Sequence, residues 1–137
     1  MRARNKSKFN HRFFEKMQTE SQAYWLGFLM ADGCILDDSV LKRGANQLVL
    51  HLAEKDASHL EEFHKTIGSE NKICCSGGSV RSSHSSDKLC EDLGKYGCTP
   101  RKSLRLKFPK LPRDLVSHFA RGYFDGDGCA CVSGNRL

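Results

Sequence analysis

Two aspartates, Asp32 and Asp127, sit at matching places in two copies of one short pattern. Leu26-Gly27-Phe28-Leu29-Met30-Ala31-Asp32-Gly33-Cys34 returns as Arg121-Gly122-Tyr123-Phe124-Asp125-Gly126-Asp127-Gly128-Cys129, at an offset of 95 residues (127 − 32). Glycine, aspartate, glycine and cysteine match by identity, and the aromatic and small positions match by type. Carboxylates, carbonyl oxygens and water are hard ligands that favour Mg²⁺, or a similar ion such as Mn²⁺, over zinc. Paired aspartates holding divalent ions suit in-line attack on a phosphodiester, where the metal activates water and stabilises the leaving oxygen.

The elements that must position these carboxylates follow from spacing. Ala23, Gly27 and Ala31 fall at successive i+4 positions and form one smooth ridge on a helix expected over 20–31. Gly122 and Gly126 keep the same register on a helix expected from about Pro112 to Gly126. Glycine inside a soluble helix costs about 1 kcal/mol relative to alanine. Two such ridges are explained if the helices pack so closely that their backbones nearly touch. Each ridge is expected to end in its aspartate at a helix C-terminus, where the macrodipole disfavours a carboxylate. Packing the ridges would add repulsion between the two charges, and a bound cation resolves both problems.

Around this pair the pattern is mixed α+β. Thr19 followed by Gln22 resembles a capping box, and Gly33 is expected to stop the helix in a left-handed conformation. Strands are expected at 34–40 and over Gln47–Ala53, the second with Leu48, Leu50 and Leu52 on one face and Gln47, Val49 and His51 on the other. Asp56 is expected to cap a helix that buries Leu60, Phe63 and Ile67 and ends at Gly68. Strands at 71–76 and 79–84 flank the Gly77-Gly78 turn, and a helix from about Ser86 to Lys95 buries Leu89, Cys90 and Leu93. Residues 103–108 are expected to form an extended connector, and 129–137 the start of a further strand.

Composition narrows the partner. The formal net charge is +6. Arg2, Arg4, Lys6, Lys8 and Arg12 form one cluster without acids, and residues 93–113 hold another from Lys95 to Arg113. Such clusters suit a polyanion, because each neutralised phosphate releases condensed counterions. The longest apolar run, Ala23 to Ala31, is far too short to span a bilayer, and no apolar stretch follows the basic N-terminus as a secretion signal would. No membrane contact and an intracellular location are expected. The seven cysteines, Cys34, Cys74, Cys75, Cys90, Cys98, Cys129 and Cys131, show no C-x-x-C spacing. They read as reduced thiols, mostly small core residues, which disfavours a zinc-binding regulator.

The stretch Tyr24-Trp25-Leu26-Gly27-Phe28-Leu29-Met30-Ala31-Asp32-Gly33 resembles the first signature of the LAGLIDADG homing endonucleases. Phe119-Ala120-Arg121-Gly122-Tyr123-Phe124-Asp125-Gly126-Asp127-Gly128 resembles the second, and the αββαββα order between them agrees. The resemblance implies two motif helices at a pseudo-twofold interface, with Asp32 and Asp127 binding metal beside the scissile phosphates, aided by the carbonyls of Ala31 and Gly126. It implies a sheet that follows the major groove of double-stranded DNA, and a basic residue near the cleavage centre, for which Lys102 is the candidate. Lys42, Arg43, Gln47, His51, Lys72, Arg81, His84 and Arg101 are candidates to read bases or hold phosphates. Met30 departs from the pattern at a place where an acid often stands.

The organisation implied is a basic N-terminal arm over 1–18, a first LAGLIDADG domain over 19–111, and the start of a second over 112–137. Only nine residues follow the second motif, so one complete DNA-binding unit and the first helix of another are expected. A chain completed by a second unit is expected to be a pseudo-symmetric monomer, and the 137-residue chain alone a poor enzyme that could pair with a second copy. The activity implied is site-specific double-strand cleavage that spreads introns or inteins. The alternative is a catalytically impaired DNA- or RNA-binding relative, such as a maturase, which would have no need of both aspartates.

Overall fold

The cap expected before the first motif is present: the Gln22 amide donates to Thr19 Oγ1 at 3.1 Å, and the Thr19 amide donates to Gln22 Oε1 at 2.8 Å. It opens α1 (Glu20–Asp32), which passes directly into β1 (Gly33–Leu36). Gly33 is extended, with φ −87° and ψ 165°, and not left-handed as the sequence suggested. Its glycine identity has a steric basis instead, since a Cβ there would lie 2.9 Å from the Leu29 carbonyl oxygen. The computed structural model describes residues 8–36, 46–99 and 109–134, the last seven by backbone alone.

Next come β2 (Gln47–Ala53), α2 (Ala57–Ile67), β3 (Cys74–Ser76), β4 (Ser79–Ser85), α3 (Asp87–Lys95) and α4 (Val116–Gly134). The order is αββαββα followed by one further helix, an α+β fold as the sequence implied. The strands form one antiparallel sheet in the order β1-β2-β4-β3. β3 is shorter than the span expected from residue 71. The side-chain amide of Asn71 donates to the Ser83 carbonyl at 2.9 Å, taking an acceptor on β4 that a longer strand would use. Asp56 precedes α2 at its N-cap but makes no capping hydrogen bond, because a short 3₁₀ turn over Glu54–Asp56 leads the chain in. Pro112 likewise precedes a 3₁₀ turn, Arg113–Leu115, and not the first turn of α4 itself.

Leu48, Leu50 and Leu52 face the core, joined by Leu60, Phe63 and Ile67 from α2 and by Leu89, Cys90 and Leu93 from α3. Burial pushes the Cys90 thiol up to about 12. Among the described cysteines, Cys34, Cys74 and Cys75 are exposed where core positions were expected, while Cys90 and Cys98 are buried. Cys34 alternates outward on β1, and all three residues of β3 are exposed. Val49 is buried at 8% exposure although its parity places it with Gln47 and His51. The eight consecutive residues Ala23–Met30 of α1 are all buried, so this helix is covered on both sides, by the core on one and α4 on the other. Among the described residues no helix is long and apolar enough to cross a membrane.

The segment expected as a basic arm is, over residues 8–18, part of this core. Phe14 is fully buried, the Asn10 amide donates to the Ile67 carbonyl at 2.8 Å, and Gln22 Nε2 donates to the Phe13 carbonyl at 2.7 Å. Beneath it lies a correction to the expected DNA contacts. His84 points into the core at 1% exposure, 2.8 Å from Ser69 Oγ, with Phe9 and Phe63 edge-on to its ring. It pairs with Leu48 across the ladder and shares that strand's apolar face, so it cannot meet DNA.

Burial, reinforced by the neighbouring His64 and His11, pushes the His84 imidazole down to about 3. The folded state therefore favours neutral His84 more strongly than the unfolded chain does. That stability is present above about pH 6.5, the ordinary histidine value, and is lost as pH falls toward 3. Melting temperature should fall over this range in the native chain, and less steeply in His84→Gln, which keeps a neutral partner for Ser69. Equal acid slopes for the two proteins would refute the assignment.

Candidate functional site

The glycine ridges meet backbone against backbone. A Cβ built on Gly27 would lie 2.7 Å from the Tyr123 amide nitrogen and closer still to the Phe119 carbonyl oxygen. One on Gly122 would overlap the Tyr24 carbonyl oxygen and lie 3.1 Å from the Phe28 nitrogen. Gly126 abuts Ala31, whose Cβ would be 2.9 Å away, and the Phe28 carbonyl oxygen at 3.1 Å. Gly122 thus faces Tyr24 while Gly126 faces Ala31, so residue numbers rise together and the two helices run in the same direction. Ala23 is fully buried on the same helix.

This packing brings the two motif ends together. Asp32, half-buried, has its Cβ 3.5 Å from the position a Gly126 side chain would take, one residue before Asp127. The two ends differ in a way the repeat did not foretell. Asp32 closes α1, where the last carbonyls, Ala31 among them, have no partner inside the helix. Asp127, exposed, lies within α4, which continues to Gly134 where the start of a strand was expected. A strand needs a neighbour for its backbone groups, and among the described residues none runs beside 129–134. A helix satisfies those groups within itself.

The macrodipole argument therefore applies to Asp32 and not to Asp127. The Gly126 carbonyl, expected as a metal ligand, faces the amide four residues on in the helix ladder. Two carboxylates and the Ala31 carbonyl remain as a hard donor set. Among the described residues no group of three or more His, Cys, Asp or Glu side chains converges to hold an ion. That set fits Mg²⁺, which commonly takes one or two carboxylates, keeps several waters and completes its shell from a phosphate.

On the sheet face opposite the core, strand parity brings Gln47, His51 and Arg81 together. His51 is the ladder partner of Arg81, and Gln47 that of Ser85. Gln47 Nε2 donates to Ser85 Oγ at 3.1 Å, and His51 Nε2 lies 2.8 Å from Ser79 Oγ. No strand position on this face, among the described residues, carries a carboxylate. Lys72 is exposed just before β3, off the ladder. Lys42, Arg43, Arg101 and Lys102 lie outside the described residues.

Sequence reasoning missed a polar contact across the helices. Tyr24 Oη donates to Asp125 Oδ2 at 2.5 Å and lies 3.1 Å from His59 Nε2 on α2. Burial lowers the His59 imidazole below its ordinary value, against the raising pull of Asp125, Asp56 and Glu62. The sequence held one signal for it. Tyr24 and Asp125 each stand three residues from a ridge glycine, which places them at the rim of the same interface.

One structure of I-SmaMI, a single mutant, matches 80% of this chain and 58% of its own at 17% identity, with a TM-score of 0.47. I-SmaMI bound to cleaved DNA matches 76% of this chain and 48% of its own at 20% identity, with a TM-score of 0.40. A double mutant of the same protein matches 53% and 26% at 23% identity, with a TM-score of 0.37. These neighbours are structures of a LAGLIDADG homing endonuclease. The chain spans between about a quarter and three fifths of their length. No family model and no curated protein matches it.

At the glycine interface, Gly122→Ala would drive a methyl group into the Tyr24 carbonyl, which backbone cannot evade. A loss of about 3 kcal/mol or more of unfolding free energy is expected. Gly94→Ala is the control, since a Cβ there meets nothing within 4 Å in α3. It should stabilise by up to about 1 kcal/mol. Urea unfolding of both variants checks the pair; a Gly122→Ala protein as stable as the native chain would contradict the packing.

Proposed function

We propose that this chain binds double-stranded DNA and forms part of a homing endonuclease that hydrolyses phosphodiester bonds with a divalent cation, Mg²⁺ or Mn²⁺. The observation that carries the reading is the backbone-close packing of α1 on α4, which sets Asp32 against Gly126, the residue before Asp127. Nothing in the stability of two helices asks for two carboxylates at one end of a glycine interface, where they repel each other. A cation and a phosphate between them do. Site-specific cutting, and a role in spreading introns or inteins, are the finer parts of the proposal.

The chain's own residues divide the work. Asp32 and the Ala31 carbonyl would hold the ion from α1, and Asp127 would approach it from α4. A divalent cation held there would acidify a water for attack on phosphorus and steady the oxygen that leaves. Gln47, His51 and Arg81 face outward from a sheet surface free of carboxylates, where they can donate to base edges and phosphates. The net charge of +6 would draw the duplex in. Lys102 is proposed as the basic residue near the cleavage centre, with Lys42, Arg43, Lys72 and Arg101 as further contacts to DNA.

Asp32→Asn keeps the shape and removes the negative ligand. In a chain completed by a second unit, folding and duplex affinity should persist, while cleavage with Mg²⁺ should fall roughly a hundredfold or more, as removal of several kcal/mol of charge stabilisation implies. Native affinity should also drop steeply across a salt series. An Asp32→Asn protein that cuts at the native rate, or a flat salt response, would overturn the proposal.

A further inference from the structure

The glycine interface is smooth, and smoothness has a consequence. The Gly27 and Gly122 notches each face a carbonyl of the other helix and so oppose sliding, but glycine brings no directional side-chain contact to hold the roll of α4 about its own axis. A directional contact at the rim can fix that roll, and with it the direction in which Asp127 leaves the helix. The polar contact at the rim joins three helices at one atom: Tyr24 Oη of α1 touches Asp125 of α4 at 2.5 Å and His59 of α2 at 3.1 Å.

The hydrogen bonding there runs one way. Tyr24 has one hydroxyl proton, and it goes to the Asp125 carboxylate, which only accepts. The Tyr24 oxygen is then left to accept, so His59 must carry its proton on Nε2 and donate. His59 is held in turn by aromatic rings, with Trp25 at 4.8 Å and Phe28 at 4.7 Å between centroids. The Tyr24 ring, 8% exposed, is capped by the Arg121 guanidinium, 4.6 Å from its centroid. Arg121 Nη2 also lies 3.3 Å from His118 Nδ1, and His118 Nε2 lies 3.6 Å from Glu20 Oε2 on α1. These bonds are directional where the glycine contact is not.

We propose that Tyr24, held by His59 and bonded to Asp125, is a positioning residue that locks the roll of α4 on α1 and so sets the direction of Asp127. The role in cleavage rests on the endonuclease reading above; the lock itself does not. Asp125 stands two residues before Asp127, about half a helical turn, so a roll of α4 that breaks the first contact displaces the second carboxylate. The buried Phe119 of α4, with the buried Leu115 of the 3₁₀ turn before it, would keep the helix attached but less firmly placed.

Tyr24→Phe tests this in the full chain, because it deletes the hydroxyl and keeps the ring under Arg121 and against Trp25. Amide hydrogen exchange across 116–127 should quicken roughly tenfold, the scale of one charge-assisted hydrogen bond. The amides of α3, remote from the contact, should be unchanged. Asp125→Asn, which retains an acceptor oxygen, should exchange nearly as the native chain does, while Asp125→Ala should match Tyr24→Phe. In a chain completed by a second unit, single-turnover cleavage should slow about tenfold in Tyr24→Phe, with duplex affinity held within about twofold. Unchanged exchange in Tyr24→Phe would overturn the lock. Quickened exchange with unchanged cleavage would overturn its positioning role. A completed native chain that neither binds nor cuts duplex would sink the endonuclease reading, and exchange would still decide the lock.

Discussion

The contact of α1 with α4 is made by main chain on main chain, and most of the molecule is arranged to permit it. Gly27 and Gly122 each stand where a methyl group would strike a carbonyl of the other helix. A helix that presents glycine on one face must be held by its other faces, and α1 is buried at every position from Ala23 to Met30. The reciprocal cap of Thr19 and Gln22 fixes where it starts, and Gln22 also ties it to the buried segment around Phe14. Glycine weakens a helix by itself. Here that weakness is offset by burial on both sides, and the gain is an approach close enough to set two carboxylate-bearing turns against each other.

The sheet plays a different part. Its core face carries leucines from β2 under the helices, while its open face carries hydroxyls, an amide, an imidazole and a guanidinium and no acid among the described strands. Charge is thus divided between two regions. Carboxylates stand near the glycine contact, Asp32 at the end of α1 and Asp127 within α4, and neutral or cationic donors spread over the sheet. Neither region alone suffices for a nuclease. Together they match the two needs of the proposed chemistry, a grip on the duplex and a hard-ligand centre at the bond to be cut.

Much of this was legible because it is local or periodic. The capping box, the leucine alternation of β2, the left-handed Gly68 and the repeat all follow from residue types at fixed spacing. The helix contact at the candidate site was legible to the same extent: the repeat marks the glycine ridges, and they meet. What failed depends on partners distant in sequence. Asn71 shortens β3 by bonding to Ser83, and residues 8–18 join the core through Phe14, where their basic neighbours suggested a free arm. One error could have been avoided from parity alone. Arg81 and His84 stand three apart on one strand, so they occupy opposite faces and cannot both contact DNA.

The repeat also shows what stops a helix. Asp-Gly-Cys ends α1 at Asp32, yet the same three residues at 127–129 lie inside α4. The difference is not in the residues, since they are identical, nor in a left-handed glycine, since Gly33 is extended. It lies in what waits beyond. Gly33 and Cys34 meet Leu50 and Val49 across an antiparallel ladder, so leaving the helix exchanges one set of backbone hydrogen bonds for another. Residues 129–134 meet no such strand among those described, and helix is then the conformation that keeps their amides paired. The consequence reaches the proposed metal site. An α1-like exit after Asp127 would free the Gly126 carbonyl and put the second carboxylate at a helix end, making the two halves equivalent. The lopsided donor set seen here is therefore a property of strand pairing and not of the motif.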